Sequence, residues 1–166
     1  MKYAIINGKI LNGKHDMTPE EGLCVLIDGE KITDILPQKD ADLDGYKTID
    51  AVGGYVLPGL INMHVHLAGN GKPQKKQRDN AKLVKTLLSN GLTKKIAYNL
   101  VAKFAKIELY GGVTTIRTVG GLSDFDTRLR DEILSGRKVG PRILAANGGI
   151  SVPGGHMAGS VAYAAK

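Results

Sequence analysis

The sequence predicts a mixed α/β protein in two parts, a small β-sandwich over residues 1–56 followed by alternating strands and helices over residues 57–166. Three observations carry this reading. Up to about Val56, short β-type segments are separated by turn signals. From Leu57 onward the hydrophobic pattern switches to strand, helix, strand, which implies parallel strands joined by crossover helices. With 42% hydrophobic and 23% charged residues, the composition is that of an ordinary globular chain, with no mark of disorder or internal repeats.

In the first part the β-type segments are Tyr3 to Ile6, Leu23 to Ile27, Lys31 to Leu36 and Tyr46 to Ile49. Asn7-Gly8, Asn12-Gly13 and Asp28-Gly29 separate them, because Asn, Asp and Gly accept the positive φ that tight turns need. Asp28-Gly29, flanked by Val25-Leu26-Ile27 and Ile32-Thr33-Asp34-Ile35, is the strongest hairpin signal.

In the second part, the strand opening at Leu57 ends at His66 or Leu67, and a loop rich in Gly, Asn and Lys follows. The stretch up to Gly112 is long enough for two helices. Thr93 can cap one whose Ile96, Leu100, Val101, Phe104 and Ile107 share a face, with Lys94, Lys95, Lys103 and Lys106 outward. Gly111 or Gly112 stops it. A second strand is expected over residues 113–119, a helix over 124–134 and a third strand over 142–146. Residues 160–166 read as the opening of a further helix.

The chemistry-bearing feature is Leu57-Pro58-Gly59-Leu60-Ile61-Asn62-Met63-His64-Val65-His66, an apolar run ending in His-x-His. Alternation along a strand puts His64 and His66 on one side and Val65 on the other, so both imidazoles are expected to project together into the interior at the strand's end. Two adjacent imidazoles are half of a metal site, since neutral imidazole suits zinc, iron, nickel or copper. A pair of hydrogen-bonded core histidines is the competing account; the Pro58-Gly59 corner and the apolar strand favour the metal.

The span from Asp50 to His66, with Gly53, Val56, Pro58, Gly59 and Ile61 at their places, resembles the opening of the barrel in the amidohydrolase superfamily of metal-dependent hydrolases, with Asn62 where Asp is common. Tyr110-Gly111-Gly112-Val113-Thr114-Thr115-Ile116-Arg117, Gly140-Pro141-Arg142-Ile143-Leu144 and Gly154-Gly155-His156 resemble the branch containing imidazolonepropionase-like enzymes and the zinc-dependent prolidases and carboxypeptidases. The resemblance implies that residues 57–166 are the first three βα units of an incomplete TIM (β/α)8 barrel. A complete barrel needs about 250 residues, so a chain of 166 is expected to be the N-terminal portion of something longer.

The implied activity is hydrolysis of an amide, peptide or cyclic-amide C–N bond by water activated on one or two divalent metal ions, zinc foremost. His64 and His66 are the implied metal ligands. The other ligands and the general base, an aspartate of the eighth strand in the family, are expected beyond Lys166. Because catalytic residues of such barrels gather at the C-terminal ends of the strands, Arg117 and His156 are candidate substrate contacts. Arg117 reads first as a structural ion-pair partner, and His156 is as readily a surface-loop histidine. The family often has Asp where Thr118 stands, so nothing is carried over to that position. The alternative is a catalytically inert fragment or partner subunit completed by a second chain.

The net charge of +7 raises a nucleic-acid reading. Lys72, Lys75, Lys76, Arg78, Lys82 and Lys85 form the densest cluster, but no aromatic residue interleaves with them to stack on bases. A solvated basic face is the simpler account and a guard over an anionic substrate the next, so no nucleic-acid partner is expected. The single cysteine, Cys24, excludes an internal disulfide and suits a reducing compartment. With no basic-apolar leader and no apolar run near 20 residues, a cytoplasmic protein without membrane contact is expected. Expected partners are a small-molecule or dipeptide-like substrate and either further copies of the chain or a complementary C-terminal chain.

Overall fold

The computed structural model describes residues 1–69, 79–155, 157–158 and 161–164. Among them the chain forms two units, Met1–Pro58 and Gly59–Lys166. The first is built from strands β1 (Lys2–Ile6), β2 (Lys9–Ile10), β3 (Leu23–Asp28), β4 (Lys31–Pro37), β5 (Lys47–Asp50) and β6 (Tyr55–Val56). The second contains β7 (Leu60–Val65), α1 (Asn80–Leu87), α2 (Gly91–Tyr110), β8 (Val113–Thr118), α3 (Phe125–Leu134), β9 (Arg142–Leu144), β10 (Gly149–Ser151) and β11 (Ala162–Ala164).

In the first unit a four-stranded sheet runs in the order β4-β3-β1-β5, and β2 pairs with β6 in a separate two-stranded sheet. β3 and β4 are antiparallel and joined at Gly29, whose φ of 61° supplies the left-handed turn that the Asp28-Gly29 pair foretells. β1 is antiparallel to β3 and parallel to β5. The two-residue strands β2 and β6 are not foreseen from sequence, because two residues carry no periodicity.

The second unit is organised by three parallel strands in the order β7-β8-β9. Its core brings Val65, Ile116 and Ile143 from this sheet and Leu67 just after β7 against Ala97, Tyr98, Val101 and Ala105 of α2 and Phe125 and Leu129 of α3. Gly59 lies just before β7 where the chain passes so close to Thr114 that a Cβ would overlap its side chain. Asn90, not Thr93, caps α2, its side chain accepting from the Thr93 N–H.

Two expectations are corrected here. The buried face of α2 is Ala97, Tyr98, Val101 and Ala105, while Ile96, Leu100 and Ile107 are exposed. The small side chains at 97 and 105 let the helix lie close on the sheet, which the bulkier stripe does not allow. Residues 162–164 are not the start of a helix but the short parallel strand β11, because Gly149–Ser151 offers its backbone as a partner. Among the described residues no helix is long and apolar enough to cross a membrane.

Candidate metal centre

The site begins at the end of β7. Pairing with β8 shifts register between Asn62 and Val65, and the local backbone is held by the Asn62 side chain, which accepts from the His64 N–H at 3.2 Å. From the neighbouring strand, Arg117 Nε donates to the Met63 carbonyl at 2.9 Å. Val65 and Leu67 turn to the helix side and are buried; His64 and His66 turn to the opposite side. Their ring centroids lie 5.1 Å apart with the planes at 75°. Both rings are exposed rather than interior, because α2 and α3 cover only one face of the sheet.

His66 is fixed further. Its Nδ1 is 3.2 Å from the Gly120 carbonyl oxygen in the loop after β8. A carbonyl only accepts, so Nδ1 carries the proton, and in the neutral ring Nε2 keeps its lone pair. That is the arrangement of a metal-binding histidine oriented from behind. Two imidazoles side by side, one with Nε2 bare, are a donor set that fits half the coordination shell of zinc or a similar divalent ion. Among the described residues no three His, Cys, Asp or Glu side chains gather closely enough to hold an ion.

The ends of the other two strands surround this loop. The Thr118 hydroxyl, fully buried, accepts from the Ala146 N–H at 3.0 Å, and the Gly121 N–H donates to the Asn147 carbonyl at 2.7 Å. Asn147, at φ 58°, accepts from the Thr127 N–H through its side chain and so ties the end of β9 to α3. Arg117 to Gly120 and Ile143 to Gly149 line an open depression of about 680 Å³.

Of the sequence-predicted residues, His64 and His66 are adjacent, and Arg117 touches the same strand end but spends its Nε on the Met63 carbonyl. His156 lies outside the described residues, as do Lys72, Lys75, Lys76 and Arg78 of the basic cluster. The sequence reading missed Asp126. It is 1% exposed, and among the described residues neither carboxylate oxygen has a hydrogen-bond partner of good geometry. Burial pushes its carboxyl above the usual carboxylate range, while the Thr118 hydroxyl, the Asn147 backbone and the nearby His66 pull it partly back. A signal was available: Leu122, Phe125, Asp126 and Leu129 stand at i, i+3, i+4 and i+7, placing an acid on the apolar stripe of α3.

Residues 55–165 match the model of the amidohydrolase family. A dihydroorotase of Syntrophotalea carbinolica is 38% identical over 71 residues, 43% of this chain and 16% of its own length. An allantoinase of Enterococcus faecalis is 37% identical over 62 residues, 34% of this chain and 14% of its own. Among solved structures, a Xaa-Pro dipeptidase with methionine bound in its active site superposes with a TM-score of 0.69 at 30% identity, covering 90% of this chain and 34% of that one. The chain thus spans about a third of the length of that solved relative, and it belongs to the amidohydrolase family.

Proposed function

We propose that this chain carries the His-x-His part of the centre of a metal-dependent hydrolase that cleaves an amide, peptide or cyclic-amide C–N bond. The observation that supports this best is the pairing of His64 with a His66 whose Nδ1 is engaged by the Gly120 carbonyl, leaving Nε2 free to ligate. A divalent ion, zinc foremost, supplies an activated water and a polarised carbonyl when bound. His64 and His66 hold it and present it on the open side of the sheet. Arg117 keeps the β7 end in place and is proposed, with His156, to meet the substrate. The dihydroorotase, allantoinase and Xaa-Pro dipeptidase relatives support a cyclic amide or a dipeptide as the substrate class. In this reading residues 1–56 contribute to a small β-sandwich, and β7, β8 and β9 are three consecutive strands of a (β/α)8 barrel.

A second reading has its own support. Catalytic zinc sites use three protein ligands and an open position, and the described residues bring together only two. The 166-residue chain by itself is therefore proposed to be inactive until other ligands are supplied.

The test combines metal binding with a hydrolysis screen of dipeptides and cyclic amides. The chain is expected to bind cobalt(II) or zinc weakly, to lose that binding in His64→Ala, and to show no turnover alone. Wild-type chain that binds neither ion would refute the ligand assignment. Turnover by the chain alone, abolished in His64→Ala, would refute the need for further ligands.

A further inference from the structure

An acid on the buried stripe of a helix is costly whether it is charged or neutral, unless the groups around it make use of it. Asp126 sits in the first turn of α3, where the helix dipole favours an acceptor. Its carboxyl group is packed against the backbone of Gly121: a Cβ at that glycine would overlap the carboxyl carbon and both oxygens. Gly121 in turn donates to the Asn147 carbonyl, and Thr118 holds the Ala146 N–H, so the carboxyl lies among backbone segments that end β8 and begin the loop after β9. The residue immediately before Gly121 is Gly120, whose carbonyl accepts the His66 Nδ1–H.

We infer that Asp126 is a positioning residue for the His64–His66 pair: its carboxyl group supports the Gly120–Gly121 turn from below and so fixes the ring orientation and tautomer of His66. This rests on the reading of the two histidines as metal ligands. An apolar side chain of the same volume would fill the space at lower cost, so filling alone does not account for a carboxyl group here. What the carboxyl adds is negative polarity beside the Thr118 hydroxyl, the Asn147 backbone and His66, the three influences that partly offset its burial. Their joint effect links the ends of β7, β8 and β9 to one side chain. Removing it frees the Gly120 carbonyl to shift, and His66 loses the partner that keeps Nε2 bare.

The experiment reads the histidine rings by ¹⁵N NMR on the 166-residue chain. Wild-type His66 is expected as the Nδ1–H tautomer, and Asp126→Asn is expected to convert it to a mixture and to weaken cobalt(II) binding by roughly 10- to 100-fold. Glu132→Gln, also on α3, serves as the control for general destabilisation and is expected to leave His66 unchanged. Should Asp126→Asn fail to fold, Thr118→Val keeps the shape and the carboxylate but removes the hydroxyl beside it, and a smaller shift in the same direction is expected. Wild-type His66 found as the Nε2–H tautomer overturns the inference. So does a folded Asp126→Asn, or in its place Thr118→Val, with the wild-type tautomer and cobalt affinity within about twofold. If wild-type chain binds no cobalt, the ligand reading fails, and the tautomer measurement still decides the role of Asp126.

Discussion

His66 and Gly120 are joined across 54 residues of chain by a hydrogen bond from the imidazole Nδ1–H to the backbone carbonyl, 3.2 Å long. Gly120 has φ of 149°, and a Cβ there would meet the His66 ring at 3.4 Å. Gly120→Ala therefore strains the turn and crowds the ring together. It is expected to cost about 1–2 kcal/mol, some 2–8 °C in melting temperature for a chain of this size, and to weaken cobalt(II) binding. Melting and cobalt titration check this; a variant with wild-type affinity would show that the carbonyl does not orient His66.

The His-x-His pair was legible in the sequence because strand alternation is a strict rule, and the parallel strands because apolar runs alternated with helical spacing. The register of α2 was not. Helix periodicity identifies an apolar stripe, but Ile96, Leu100 and Ile107 lost the buried position to Ala97 and Ala105, since close approach to a sheet rewards small residues. Asp126 had a local signal, an acid on the apolar stripe of α3, whereas Gly120 and Asn147 escaped notice because they lie on loops that meet in space, far apart in the chain, and no local pattern announces such a meeting.

Tyr98 anchors the helix layer. Its ring is 2% exposed and meets Phe125 edge-on at 5.4 Å, its hydroxyl donates to Glu132 Oε2 at 2.7 Å, and the Arg128 guanidinium lies 4.0 Å from the ring centroid. Burial, and then the bond to Glu132, push the phenol well above its ordinary range. Tyr98→Phe removes only the hydroxyl and is expected to cost about 1–1.5 kcal/mol, whereas Tyr98→Ala opens a cavity and is expected to cost about 3–5 kcal/mol. Denaturant unfolding distinguishes them; equal losses would mean that the hydroxyl, not the packing, dominates.

Glu132 makes part of the stability depend on pH. The Tyr98 hydroxyl, and then Arg128, hold its carboxyl below the usual carboxylate range despite partial burial. The unfolded chain therefore takes up this proton first as pH falls. The contribution is fully present above the unfolded value, about 4.3, and is lost as pH drops through the lower folded value. The melting-temperature gap between wild type and Glu132→Gln is expected to be widest above about pH 5 and to close in stronger acid. A gap that is constant over that range would place the effect in packing rather than in charge.

The open side of the β7-β8-β9 sheet bears on assembly. Leu60, Ile61 and Met63 of β7 and Leu144 of β9 are each about half exposed or more, and among the described residues β9 is an edge strand with one row of backbone groups left unpaired in the sheet. Apolar surface beside an open edge is where further strands or another chain add, and where aggregation starts when neither does. The isolated 166-residue chain is expected to associate with itself, and Ile61→Lys together with Leu144→Lys is expected to reduce that association while leaving the helix-side core intact. Sedimentation of both proteins, with the mass verified beforehand, makes the comparison. A wild-type chain that sediments as a compact 17.7 kDa monomer with a cooperative unfolding transition would show that this face is stable in water uncovered.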